Sequence, residues 1–314
     1  MPQLKKDDKI YVAGHRGLVG SAISRKLDES GYKNLLTRSR VELDLEDQAA
    51  TRAFLEHEKP AAVVLAAALV GGIAANSASP ADFIARNLSI QNNVIWGAHR
   101  AGVDRLLFLG SSCVYPREAP QPIPESAIMT GPPEPTNAPY AVAKIAGLTL
   151  CDALRRQYGR TYFTVMPPNI FGPQDNFDPE NSHVMAAMIR RFHEALPDLP
   201  VTCWGSGSPK REFLFSEDAA EACVHFLSLD DPPPLVNIGT GTPMTIRSLA
   251  ETVQRVVGHT GPIEWDVSRP DGFPEKTNDV ALARSHGWSA RTGFEEGIER
   301  TYAWFKEHIP VATN

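Results

Sequence analysis

The chain has 314 residues, 42% of them hydrophobic and 22% charged, a balance that fits one or two globular domains and excludes a disordered chain. Its net charge of −6, with no block of like charges, argues against a nucleic-acid or anionic-membrane partner. No apolar run reaches the roughly 18 residues of a membrane-spanning helix, and the opening MPQLKKDDKIYV holds no signal-type apolar core.

Lys9–Ala13 predicts a short buried strand. Gly14, Gly17 and Gly20 follow it and open a helix in which Leu18, Ile23 and Leu27 recur at helical spacing, ending at Gly31. Such a strand–loop–helix unit brings the backbone against a dinucleotide pyrophosphate at a helix N-terminus. A glycine triplet alone also fits a plain tight turn. Asn34–Thr37 predicts a second strand, followed by Arg38-Ser39-Arg40. NAD enzymes usually place an acid there for the ribose 2′-hydroxyl. Cations at that place, with Arg16 in the glycine loop, favour a 2′-phosphate and hence NADP(H); solvated surface charges are the alternative.

Ala61–Ala67 predicts a third strand, almost wholly apolar, as expected for a parallel strand covered on both faces. Ala81–Ala101 predicts a helix carrying Phe83, Leu88, Ile90, Val94 and Ile95. The glycosylation sequon Asn87-Leu88-Ser89 inside it reads as a chance match. Leu106–Leu109 is a fourth strand. Strands alternating with helices predict an α/β fold with a doubly wound parallel Rossmann sheet.

The fourth strand runs into GSSCVYP, which sets Ser111 and Cys113 at a strand end. Residues 116–139, rich in proline and polar groups, read as a loop over an active-site mouth. A helix is expected from about Pro139 to Tyr158, with Asn137 or Ala138 near its cap. It places Tyr140 and Lys144 at i and i+4 on one face. An ammonium beside a phenol is expected to lower the tyrosine pKa from about 10 and suit it to proton transfer at a carbonyl oxygen. Thr161–Met166 is a further strand. Beyond Gly172 the pattern loosens, predicting a smaller C-terminal substrate-binding domain over residues 171–314. The dinucleotide domain is expected over residues 1–170, joined by part of 215–240.

With the glycine loop, Ser111 after the fourth strand and Tyr-x-x-x-Lys downstream, the chain resembles the extended short-chain dehydrogenase/reductase family. The resemblance implies a catalytic Ser111, Tyr140 and Lys144. The stretches AGHRGLVGSAI, LAAALVGGIAAN, LFLGSSCVYP, EPTNAPYAVAKIAG, NSHVMAAMIRRFHEA and WGSGSPKREF run from about Lys9 to Trp304. Together they resemble the members that epimerise and then reduce a GDP-linked 4-keto-6-deoxy sugar. That likeness implies that Cys113 is the epimerisation base and His183 the acid. By themselves, a cysteine after a strand reads as a small core residue and the histidine as an exposed capping residue. Asn181 or Ser182 is expected to cap the next helix, with His183 in its first turn, where the dipole favours giving up a proton.

The dinucleotide is expected against Gly14, Arg16, Gly17, Leu18, Val19, Gly20, Arg40, Leu109, Gly110, Ser111, Ser112, Tyr140, Lys144, Pro167, Asn169, Ile170 and His183. The GDP-sugar is expected at Arg191, Trp204, Arg211 and Asp271. Pro168 stands where threonine is expected and Phe171 where tyrosine is common. The resemblance also implies a homodimer through Asn87–Trp96 and Ala143–Leu154, helices whose apolar faces equally fit packing on the sheet. Cys113, Cys151, Cys203 and Cys223 form no C-x-x-C pair. No metal site or disulfide framework is signalled, and a cytoplasmic location is expected.

Other readings differ at named positions. A related GDP-deoxysugar enzyme, such as one making GDP-colitose, differs only in geometry at one ring hydroxyl. A 4,6-dehydratase would carry Asp-Glu where Ser112-Cys113 stands, and a 4-epimerase has no need of the Cys/His pair. A catalytically dead dinucleotide sensor commonly loses the tyrosine or lysine, and both are present here.

Overall fold

The computed structural model describes residues 4–179, 182–268, 271 and 274–310. β1 (Ile10–Ala13) leads through the glycine loop into α1 (Leu18–Glu29). β2 (Leu35–Leu36) is shorter than the expected Asn34–Thr37: only these two residues pair, with Ile10 and Tyr11 of β1. α2 (Gln48–Glu58) starts at Asp47, whose carboxylate accepts the Ala50 N–H. β3 (Ala62–Leu65), α3 (Ile73–Ala78), α4 (Pro80–Arg100) and β4 (Arg105–Leu109) follow. α5 (Ala138–Tyr158), with Pro139 in its first turn, ends on Gly159 in the left-handed conformation, and β5 (Thr161–Met166) comes next.

The chain then leaves the sheet through β6 (Asn169–Phe171), α6 (Val184–Glu194), β7 (Val201–Trp204), β8 (Lys210–Arg211) and β9 (Phe213–Phe215). It returns with α7 (Ser216–Ser228) and β10 (Leu235–Asn237). β11 (Met244–Thr245), α8 (Ile246–Val257), β12 (Ile263–Asp266), β13 (Glu275–Lys276), α9 (Ala281–Ser285) and α10 (Phe294–His308) complete it.

The six-stranded sheet runs β10-β5-β4-β3-β1-β2, every pair parallel. Alternate residues feed opposite faces. Ile10, Val12, Leu107, Phe163 and Val165 pack with Ile23, Leu27, Ala219 and Phe226 from α1 and α7. Tyr11, Val63, Leu65, Leu106 and Phe108 pack with Leu55, Val94, Ile95, Cys151 and Leu154 from α2, α4 and α5. Each large side chain so buried contributes about 1.5–3 kcal/mol. A further core gathers Phe171, Ile189, Phe192, Phe213, Phe215, Leu249, Val253, Ile298 and Phe305. The strand order reverses between β1 and β3, and in such sheets the crevice at the carboxyl ends of those strands takes the ligand.

Two loops wall that crevice. Asn87, buried in α4, donates to the Leu69 and Phe83 carbonyls and accepts the Leu69 N–H, which fixes the segment after β3. The segment between Cys113 and α5 is pinned by a parallel bridge between Ile123 and Asn278, and by Tyr115, whose hydroxyl donates to Asn237 Oδ1 at 2.6 Å.

Candidate active site

β4 ends at Leu109, and Gly110 packs so tightly on Met166 and Thr164 that a Cβ there would lie 2.7 Å from the Met166 sulfur. The chain turns at once. Ser111 is extended and its Oγ accepts the Cys113 N–H at 3.3 Å, while the Ser112 N–H donates to the Pro167 carbonyl at 3.1 Å. A single 3-10 turn, residues 112–114, thus presents Cys113, half-buried and unbridged.

α5 brings Tyr140 and Lys144 to the same place. The Ser111 hydroxyl is close enough to the Tyr140 phenol to favour its ionised form, and Phe83 meets the Tyr140 ring edge-on at 6.4 Å. Lys144 is buried; its Nζ donates to the Leu109 carbonyl at 2.8 Å and lies 4.7 Å from the Phe108 ring centre. Burial drives the Lys144 pKa down to about 7, against which a negative charge at Cys113 acts. Burial also pushes the Tyr140 phenol above its ordinary value; charge at Cys113 adds to the rise and the nearby Ser111 hydroxyl opposes it. The expectation that Lys144 lowers this pKa is therefore corrected. The ammonium is turned to a carbonyl, 5.8 Å from the tyrosine ring centre, and desolvation outweighs the rest.

His183 stands apart. Val184 starts α6, so His183 is itself the extended N-cap residue and makes no side-chain cap bond. This corrects its expected place in the first turn: Ser182 precedes the cap, and Asn181 lies outside the described residues. The His183 side chain is exposed, yet the surrounding chain desolvates the ring and lowers its pKa. The Ser182 carbonyl lies close to Gly72, where a Cβ would approach it to 3.3 Å. Among the described residues no hydrogen bond joins His183 to Cys113 or Tyr140.

The glycine loop divides its labour. Gly14 has φ +88°, and a Cβ on Gly20 would lie 2.1 Å from the Gly14 carbonyl oxygen, so these two serve close packing. Gly17 is exposed and would meet only the Gly14 oxygen at 3.6 Å. As the N-cap of α1 it offers no side chain, so the N–H groups of Leu18, Val19 and Gly20 in the first turn are left to an anion. These features fit a dinucleotide pyrophosphate. Arg16, in that loop, is exposed, as is Arg40 after β2; Arg40 pairs with Glu46 at 2.9 Å, which also binds Arg86. Pro167 is buried, Ile170 half-buried, and Asn169 donates from Nδ2 to the Glu212 carbonyl at 2.9 Å.

On the other side, Arg211 in β8 shares its electrostatic surroundings with Cys113 and with Glu134, and burial lowers its pKa. The Arg191 guanidinium lies 6.0 Å from the Trp204 ring centre and donates to the Thr202 carbonyl. Arg191 also lines a cleft of about 460 Å³ with Arg190, Glu194 and Thr202; that cleft touches none of Ser111, Cys113, Tyr140 or Lys144. Asp271 accepts the Ser206 N–H at 2.9 Å and its hydroxyl at 2.7 Å, which draws the turn after Trp204 together. Phe171 is core, packed on Phe213, Phe215 and Phe294. Glu134 and Glu212 were not singled out in the sequence; the signal at Glu212 is a carboxylate entering the apolar run Phe213–Phe215.

A model of the NAD dependent epimerase/dehydratase family matches residues 10–239. The chain belongs to that family. It is similar to GDP-L-fucose synthase 1 of Arabidopsis thaliana, with 53% identity over 97% of this chain and 95% of that protein. It is also similar to GDP-L-fucose synthase of Escherichia coli (strain K12), with 49% identity over 96% of this chain and 97% of that one. Among solved structures it is similar to a GDP-L-fucose synthetase from Naegleria fowleri bound to NADP, with a TM-score of 0.87, 27% identity and coverage of 98% and 96%.

Proposed function

We propose that the chain converts GDP-4-keto-6-deoxy-D-mannose to GDP-L-fucose by NADPH-dependent 3,5-epimerisation and 4-keto reduction. One observation carries this reading: a thiol, Cys113, sits in the same tight turn as Ser111, beside Tyr140 and Lys144. Reduction alone needs the serine, tyrosine and lysine. A second acid–base system at the same ketone gives the thiol a use.

A ketone at C4 acidifies the protons on C3 and C5. Cys113, as thiolate, takes the proton from one face and leaves an enolate. Hydroxyls of Ser111 and Tyr140 hold the developing charge at O4. His183 returns a proton to the opposite face, inverting the carbon, and both side chains re-equilibrate with water. Desolvation makes the His183 imidazolium a stronger acid once formed, while favouring the neutral ring at rest. The dinucleotide, when bound, supplies the two-electron reduction of C4. Tyr140 then gives its proton to O4. Lys144, tied to Leu109, holds the nicotinamide ribose. Leu109, Gly110, Ser112, Pro167, Asn169 and Ile170 line the nicotinamide end, and Arg16 and Arg40 take the 2′-phosphate. Arg211, Arg191 and Trp204 hold the GDP part, with Asp271 shaping the turn beside them.

The same reading divides the chain into a dinucleotide part, residues 1–170 with part of 215–240, and a mainly substrate-binding part, residues 171–314. It also pairs α4 and α5 with their copies in a homodimer. Support for the dimer comes from Trp96, Val142 and Tyr158, which stay exposed on these helices. The proposed setting is the cytoplasm, where the four unbridged thiols stay reduced; no described helix is long and apolar enough to cross a membrane.

The test is direct. The protein is given GDP-4-keto-6-deoxy-D-mannose with NADPH, and the sugar is read by NMR. One NADPH consumed per fucose-configured product supports the reading. A reduced but un-epimerised 6-deoxy sugar, or no turnover, contradicts it.

A further inference from the structure

Glu212 is fully buried, directly after Arg211 and ahead of β9. Among the described residues, no lysine or arginine side chain bonds its carboxylate. It is held by N–H groups instead. Oε1 accepts from Gly241 N–H at 2.8 Å and, at 3.5 Å, from the Thr240 hydroxyl, and Oε2 accepts from Asn278 N–H at 2.8 Å. The loop closes on the carboxylate so tightly that a Cβ on Gly239 would stand 2.0 Å from Oε1. The Glu212 backbone faces the other way: its carbonyl accepts both the Asn169 N–H at 3.3 Å and Asn169 Nδ2 at 2.9 Å. Asn278, the carboxylate's partner, donates in turn to the Met166 and Ile238 carbonyls at the ends of β5 and β10.

One residue therefore links three things: the sheet ends, the Asn169 turn and the strand carrying Arg211. A buried carboxylate is costly unless every lone pair is used, and its bonds to N–H groups are among the stronger kind. We infer that Glu212 is a positioning residue that holds Arg211 and Asn169 in fixed relation, and so aligns sugar nucleotide with dinucleotide for the reductive step. This rests on the function proposed above. Exchange at C3 and C5 needs the sugar nucleotide beside Cys113 but no alignment with the dinucleotide, so it depends less on Glu212 than reduction does.

The test compares wild type, Glu212→Gln and Glu212→Asp. Glutamine keeps the shape but turns an amide NH2 toward N–H donors; aspartate keeps the charge and falls short of part of the loop. The affinities for GDP and for NADP+ are measured by titration calorimetry, with melting temperature alongside. Turnover is followed in D2O. Glu212→Gln is expected to weaken both ligands about tenfold and to accumulate deuterated, unreduced keto sugar, with Glu212→Asp intermediate. Wild-type affinities and an unchanged ratio of exchange to reduction, even with a lower melting temperature, would overturn the inference. If Glu212→Gln does not fold, the same readings on Glu212→Asp decide. If wild type itself does not turn over the keto sugar, the proposed function fails while the binding arm still decides Glu212.

Discussion

The Lys144 ammonium donates to the carbonyl oxygen of Leu109 at 2.8 Å, tying α5 to the end of β4. Ser111 and Cys113 lie two and four residues beyond that carbonyl, and Tyr140 lies one turn before the lysine. The bond fixes the distance between the two halves of the site before any ligand arrives, which is preorganisation of the kind that catalysis needs.

The same lysine leaves a pH signature. Its folded pKa of about 7 is below the ordinary 10.5, so between these values the unfolded chain binds more protons than the folded one. Stability from this group therefore rises with pH from 7 to 10.5 and is flat below 7. Relative to Lys144→Met, the ligand-free wild type is expected to gain melting temperature across that window. The substitution should also cost reduction at least about a hundredfold. A melting-temperature difference that does not change with pH would contradict the burial argument.

The loop glycines should separate by role. Gly20→Ala puts a Cβ against a backbone oxygen and is expected to destabilise the fold by roughly 2–4 kcal/mol. Gly17→Ala meets only ordinary contact, so its melting temperature should hold while NADP(H) affinity falls about tenfold. Thermal melts and cofactor titrations of both variants check the pair of outcomes.

Cofactor choice should follow the arginines. Arg16→Ala and Arg40→Ala are each expected to raise the KM for NADPH about tenfold and leave that for NADH alone. Arg40 must exchange its Glu46 partner for the phosphate, so Glu46→Gln should lower the KM for NADPH. Equal losses with both dinucleotides would mean that these side chains act on something other than the 2′-phosphate.

Some of this site was legible before the structure because its signals are local. Glycines three apart after an apolar run, and Tyr140 and Lys144 at i and i+4, fix their own geometry through one loop and one helix. The sheet was legible from the buried runs of β1, β3, β4 and β5. What escaped depends on distant chain. The direction of the Tyr140 shift is set by burial, which no i,i+4 spacing reveals. The start of α6 at Val184 moved His183 to the cap position. Glu212 draws its partners from residues 240–241 and 278, so only the folded chain shows why a carboxylate can lie there.

The most direct measurement of the central claim is Cys113→Ser supplied with GDP-4-keto-6-deoxy-D-mannose and NADPH in D2O, with deuterium at C3 and C5 read by NMR. Wild type is predicted to give the fucose configuration labelled at both carbons. The variant is predicted to lose most exchange and to reduce the un-epimerised ketone instead, which separates the thiol's step from that of Tyr140. Epimerisation by Cys113→Ser at the wild-type rate would contradict the account and leave the thiol a packing residue.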